Sequence, residues 1–79
     1  MDTSQKMFLL AVKEMNFTRA AKRAHVTQQC LSEHIKHLET ELGTRLFERT
    51  PRLTITESGI ALRKTLLRIS NLEKNLTLK

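Results

Sequence analysis

Apolar positions recur at helical spacing from the start of the chain. Met7, Leu10 and Ala11, with Phe8, Val12 and Met15, repeat every three or four residues and predict an amphipathic helix with one wide apolar face. Asp2 or Thr3 is placed to cap it, Asp2 with Gln5 fits a capping box, and Asn16 ends the pattern. Thr18 is the expected cap of a short second helix, Arg19 to Ala24, whose small face of Ala20, Ala21 and Ala24 lets another helix approach closely. His25 and Val26 read as a tight turn. Thr27 then caps a third helix, Gln28 to Leu42, which Gly43 stops in the left-handed conformation. Val26 and Leu31 stand at the spacing of a hydrophobic staple.

On the third helix Leu31, Ile35, Leu38 and Leu42 fall within about 60° of arc and predict the core stripe. Gln29, Glu33, Lys36 and Thr40 fall opposite, with Gln28, Ser32 and Glu39 between the two faces. From Leu46 the period changes. Phe47, Leu53 and Ile55 alternate around Arg49-Thr50-Pro51-Arg52, and a proline there marks the tip of a two-stranded hairpin. Thr56 caps the last helix, with Glu57 in its first turn and Ile55 and Ile60 as a second staple pair. Leu62, Leu66, Ile69, Leu72 and Leu76 form one seam of that helix, and Ile60, Leu67 and Leu78 lie roughly opposite. A helix of about 20 residues is some 30 Å long, too long to bury both faces against so small a body. One face is expected to pack at home and the other to take a partner helix.

Composition changes this picture in two ways. The chain has 79 residues, one small domain, and a net charge of +6 from 14 Lys plus Arg against 8 Asp plus Glu. The charge is local: residues 1–43 carry a net +1 and residues 44–79 a net +5. The third helix sets Lys36 against Glu33, Glu39 and Glu41 and is not basic. The rest of the composition excludes. The longest apolar run, Met7 to Val12, is six residues, far below the roughly 20 that span a bilayer. No secretory signal is expected at the N-terminus, and the single cysteine, Cys30, suits a reducing, cytoplasmic setting.

A short helix, a tight turn and a longer helix are the helix-turn-helix arrangement. Gln28, Gln29 and Ser32, in the first turns of the second of those helices, are able to donate and accept at base edges. An arginine-tipped hairpin and a long apolar helix follow. The run Phe17-Thr18-Arg19-Ala20-Ala21, then Val26-Thr27-Gln28, Ser32, Ile35, Leu38-Glu39, Leu42-Gly43, Leu46-Phe47-Glu48-Arg49 and Thr56-Glu57-Ser58-Gly59, resembles the DNA-binding domain of LysR-type transcriptional regulators over nearly the whole chain.

The resemblance implies a mainly α fold: a winged helix-turn-helix over residues 1–56, built of three helices and a short β-hairpin wing, then a linker helix for dimerisation over residues 57–79. It implies sequence-specific binding of double-stranded DNA on pseudo-palindromic, often A·T-rich sites. Homodimers form through the linker helix, at Leu62, Leu66, Ile69, Leu72 and Leu76, and tetramers in the intact regulator. Gln28, Gln29, Ser32 and Glu33 face bases, Thr18 and Thr27 cap helices and touch phosphates, and Arg49 and Arg52 serve the wing. Lys36, on the same exposed face, completes the expected DNA-binding set. Gln29 stands where Pro or Ser is frequent, and Glu33 where Arg or Gln is frequent. A carboxylate at that place accepts from cytosine N4, so sequence preference is expected to differ. Family members normally carry an effector domain after the linker helix, and this chain stops at Lys79 within a helical pattern, as a chain cut to the DNA-binding domain does.

Rival readings are weaker. Cys30, His34 and His37 lie on one flank of the third helix at ligand-like spacing, but a structural zinc site wants four ligands and no second cysteine exists. No metal and no cofactor are expected. No glycine-rich phosphate loop and no framed carboxylate pair point to an enzyme. A helical protein-interaction or dimerisation module without DNA binding is the serious alternative. The polar uncharged face beside an arginine-tipped hairpin favours DNA. A membrane surface is disfavoured because the last helix carries an aliphatic seam without Trp or Phe, with Glu57 and Glu73 interrupting its charge.

Overall fold

A computed structural model describes residues 1–77, with side chains through Leu72. The elements follow in the order α1 (Thr3–Glu14), α2 (Phe17–Arg23), α3 (Gln28–Leu42), β1 (Phe47–Glu48), β2 (Thr54–Ile55) and α4 (Glu57–Thr77). The two strands are antiparallel, with Phe47 opposite Ile55 and Glu48 opposite Thr54. Residues 49–53 close the hairpin, and the Thr50–Pro51 peptide is cis.

Each helix begins and ends on identifiable chemistry. At α1 the Gln5 N–H donates to Asp2 Oδ1 at 2.8 Å, and the Asp2 N–H donates to Gln5 Oε1 at 3.1 Å, the reciprocal bonds of a capping box. Met15, at φ +46°, ends the helix. The cap of α2 is not Thr18. Asn16, in extended backbone, accepts from the Arg19 N–H at 2.9 Å, so the helix starts at Phe17 and places Thr18 inside its first turn. Asn is the stronger N-cap residue, and it stood close enough to Thr18 in sequence to compete for the same role. The turn to α3 is a Schellman arrangement. His25, at φ +58°, donates to Lys22 O at 3.1 Å, and the Val26 N–H reaches Ala21 O at 3.0 Å. Thr27 Oγ1 accepts from the Cys30 N–H at 3.0 Å to open α3, and Gly43 at φ +68° closes it.

The core lies where α1, α2 and α3 meet the hairpin. Phe8, Phe47, Leu31, Ile35, Leu46 and Leu66 are fully buried. All three phenylalanines of the chain converge. Phe47 stands 5.6 Å from Phe8 and 5.3 Å from Phe17, the latter edge-to-face at 85°. The base of the wing is thereby cemented to α1 and α2. Buried Ala20 and Ala21 give α2 the small face that close helix packing needs.

Two sequence expectations change here. Leu42 is 50% exposed, because the stripe of α3 leaves the body in its last turn. Most consequential, Leu66 is 1% exposed and Leu62 packs against the same core, so this stretch of the α4 seam is spent within the chain. Periodicity grouped Leu62 and Leu66 with Ile69 and Leu72 on one face. Only the first two lie against the body.

The start of α4 is pressed on the hairpin. Thr56 Oγ1 accepts from the Gly59 N–H at 3.0 Å and donates to Arg45 O at 2.7 Å, while the Thr56 N–H bonds Leu46 O at 3.0 Å. A Cβ on Gly59 would lie 2.5 Å from Leu46 O and 2.6 Å from Ile55 Cγ1. Gly59 is therefore required by contact with a neighbouring backbone.

Candidate nucleic-acid interface

The cap at Thr27 sets the first turn of α3 clear of the body. Thr27, Gln28, Gln29, Glu33 and Lys36 are exposed along one side of the helix, and Ser32 is half-buried beside them. The Thr18 hydroxyl donates to Gln28 Oε1 at 3.0 Å, which joins α2 to the face of α3. The amide-bearing and hydroxyl-bearing residues expected to read bases are thus gathered on one surface. Glu33 stands on it as the one carboxylate of the expected set.

Between α3 and the hairpin lies an open groove of about 550 Å³ lined by Lys36, Glu39, Thr40, Gly43, Thr44, Arg45 and Arg49. Three cations line it against one carboxylate, and that carboxylate is turned inward. Glu39 Oε2 accepts from the Leu46 N–H at 2.8 Å and the Phe47 N–H at 3.4 Å, and lies 3.9 Å from Arg45 Nε. Glu39 fastens β1 to the flank of α3. Arg45 also reaches Glu48 at 3.6 Å. Sequence reasoning overlooked Arg45 and the anchoring role of Glu39. The available signal was their spacing: an acid near the end of α3 and a base just after Gly43 bracket the turn into the strand.

The two wing arginines separate. Arg49 is not a free tip residue: its guanidinium carbon stands 4.9 Å from the centroid of the Phe17 ring, stacking the wing on the first residue of α2. Arg52 is exposed in the hairpin loop. On α2, Arg19 and Arg23 lie 3.8 and 3.4 Å from Glu14, so part of the positive charge near the turn is used to join α1 to α2.

The remaining candidates sit elsewhere. His34 Nδ1 is hydrogen-bonded to the buried Ser4 hydroxyl at 2.8 Å, His37 faces Glu41 at 3.6 Å, and Cys30 is half-buried against the core. Among the described residues no group of three or more His, Cys, Asp or Glu is placed to hold a metal ion. On α4, Ile69 and Leu72 are 38% and 63% exposed, alongside Ile60 and Leu67. Leu76 falls outside the residues whose side chains are described. Leu9, Val12, Lys13, Arg63 and Leu67 line a further groove between α1 and α4. No helix of the described residues is long and apolar enough to cross a membrane.

A family model for the bacterial regulatory helix-turn-helix protein, lysR family, matches residues 4–60, the three helices, the hairpin and the start of α4. The chain belongs to the LysR family. Within that family it is 46% identical over 57 residues to the transcriptional regulator BudR of Klebsiella aerogenes, a match covering 71% of this chain and 40% of the relative. It is 41% identical over 58 residues to the carbapenem-hydrolyzing beta-lactamase transcriptional activator of Serratia marcescens, covering 72% of this chain and 20% of that protein. The LysR chain described here thus spans less than half the length of either curated relative. Among solved structures it is similar to the CbnR DNA-binding domain in complex with DNA, with a TM-score of 0.87 at 32% identity, covering 98% of this chain and 91% of the other. The BenM DNA-binding domain on its catB site 1 DNA gives a TM-score of 0.87 at 31% identity, covering 99% and 91%. The architecture of winged helix-turn-helix and linker helix is therefore that of LysR DNA-binding domains, as the sequence pattern implied.

Proposed function

We propose that this chain is the sequence-specific, double-stranded-DNA-binding module of a bacterial LysR-type transcriptional regulator. The observation that carries the reading is the pairing of an exposed polar face on α3 with the Lys36–Arg45–Arg49 groove beside it. In this reading the N-terminal turns of α3 enter the major groove, where Gln28, Gln29 and Ser32 meet base edges. Glu33 favours cytosine N4 at its own position. Lys36, Arg45, Arg49 and Arg52 neutralise phosphates and release counterions, which anchors the domain without specifying sequence. Arg49 holds the wing to α2 while facing the same groove. Similarity to domains solved on DNA supports the assignment.

Two chains pair through the outer face of α4 in this scheme, at Ile69 and Leu72, while Leu62 and Leu66 hold α4 to its own body. Pairing sets two α3 helices about 34 Å apart, one turn of duplex, and so fixes half-site spacing. The intact regulator would join such dimers into tetramers through further sequence. The role is one of binding in the cytoplasm, without catalysis.

Selection of bound sequences from random duplexes across a range of salt tests the reading. Enrichment of a two-fold-related site with half-sites one helical turn apart supports it. Salt-sensitive binding with no enrichment refutes base reading, and no retention of duplex leaves a protein-interaction module.

A further inference from the structure

The Thr18 hydroxyl is free of the capping role, because Asn16 caps α2, and it donates instead to Gln28 Oε1 at 3.0 Å across the turn. Both side chains are exposed, on the surface where α3 leaves the body. An exposed glutamine ordinarily rotates its terminal amide freely, so either its carbonyl or its amino group can lead into a groove. Here the carbonyl is tied to a second helix.

We propose that Thr18 is a positioning residue for base recognition: it holds Gln28 so that the side-chain amide meets the major groove amino group first. The proposal rests on the DNA-binding reading above. With Oε1 engaged on the α2 side, Nε2, on the other side of the same carbon, points away from Thr18. That nitrogen offers two donors and no acceptor. Guanine presents N7 and O6 in the major groove, adenine N7, and thymine O4, whereas cytosine presents only its N4–H₂ donor. Gln28 held this way excludes cytosine from the strand position it faces. The hydrogen bond also orders the side chain before DNA arrives, so less rotamer freedom is lost on binding. A direct phosphate contact by Thr18 would have the opposite consequence, since it strengthens every sequence alike.

The experiment selects bound sequences with the unaltered chain, Thr18→Val, Thr18→Ser and Gln28→Ala, and measures affinity for the selected site and its single-base variants. Valine matches threonine in shape and lacks the hydroxyl, and serine keeps it. The position read by Gln28 is the one whose preference Gln28→Ala erases. At that position Thr18→Val is expected to admit cytosine, with discrimination falling about fivefold to tenfold, within the range one good amide–base contact supplies. Thr18→Ser should keep the discrimination, and Thr18→Val should add nothing in a Gln28→Ala background. In Thr18→Val and Gln28→Ala, affinity for non-specific duplex should fall less than affinity for the selected site. A uniform loss of affinity in Thr18→Val with the base preference intact overturns the proposal, as does a Thr18→Ser chain that behaves like Thr18→Val. A parent chain that enriches no sequence overturns the base-reading role on which the proposal rests.

Discussion

Gly59→Ala decides between two opposing local effects. Gly59 lies in the first turn of α4, where helix propensity alone favours alanine by up to about 1 kcal/mol. The added Cβ would sit 2.5 Å from Leu46 O and 2.6 Å from Ile55 Cγ1, against 3.4–4 Å for ordinary contact. Ile55 could rotate away, but Leu46 O is a backbone atom held by the Thr56 N–H at 3.0 Å. Relief therefore requires α4 to lift from the hairpin by about 1 Å or the carbonyl to abandon its bond. Overpacking of this kind costs about 1–3 kcal/mol. The net expectation is a loss of about 1–2 kcal/mol, which for a domain of this size lowers Tm by roughly 5–15 °C. Thermal unfolding followed by circular dichroism measures it, at one fixed chain concentration because the proposed pairing would make Tm concentration-dependent. An unchanged or raised Tm would mean that propensity governs the position and that α4 is not in close contact with the hairpin.

Other residues separate the roles argued above. Glu39→Ala should cost about 1–3 kcal/mol in urea unfolding because the Leu46 and Phe47 N–H groups lose their shared acceptor, and Glu39→Gln, which keeps one oxygen, should cost less; equal effects would assign the loss to charge instead. Arg49→Ala should remove about 0.5–1 kcal/mol of stacking on Phe17 and also reduce the salt slope of DNA binding by about 1, and an unchanged slope takes Arg49 out of the phosphate set. Leu66→Ala should destabilise the chain by about 2–5 kcal/mol, as truncation of a buried side chain does, while Ile69→Asp should leave the fold intact and give monomers in ultracentrifugation. Dimers that survive Ile69→Asp would move the pairing surface away from the outer face of α4.

Much of the fold was legible because the signals are local. The capping box of Asp2 and Gln5, the Thr27 and Thr56 caps, and the stop at Gly43 each involve atoms within about one helical turn. A sequence states such relations directly. The exposed set on α3 follows from its period once Leu31, Ile35 and Leu38 are taken as the buried side. The cap of α2 was the local misreading. Asn16 and Thr18 are both competent, and the choice depends on where α1 ends, at the left-handed Met15.

Four things needed the three-dimensional arrangement: Thr18 donating to Gln28, Arg49 stacking on Phe17, Glu39 accepting from β1, and the division of the α4 seam between Leu66 inside and Ile69 and Leu72 outside. The first three join residues on different elements, where no periodicity relates one partner to the other. The fourth arises because a long helix leaves a small body part-way along its length. The sequence by itself determined the order and kind of the elements, most of their caps and the polar composition of the face on α3, because hydrogen bonds and helical period act over a few residues. The tertiary structure decided which of those polar groups are held, in what orientation and by which neighbour, because that depends on distances set only when the elements pack.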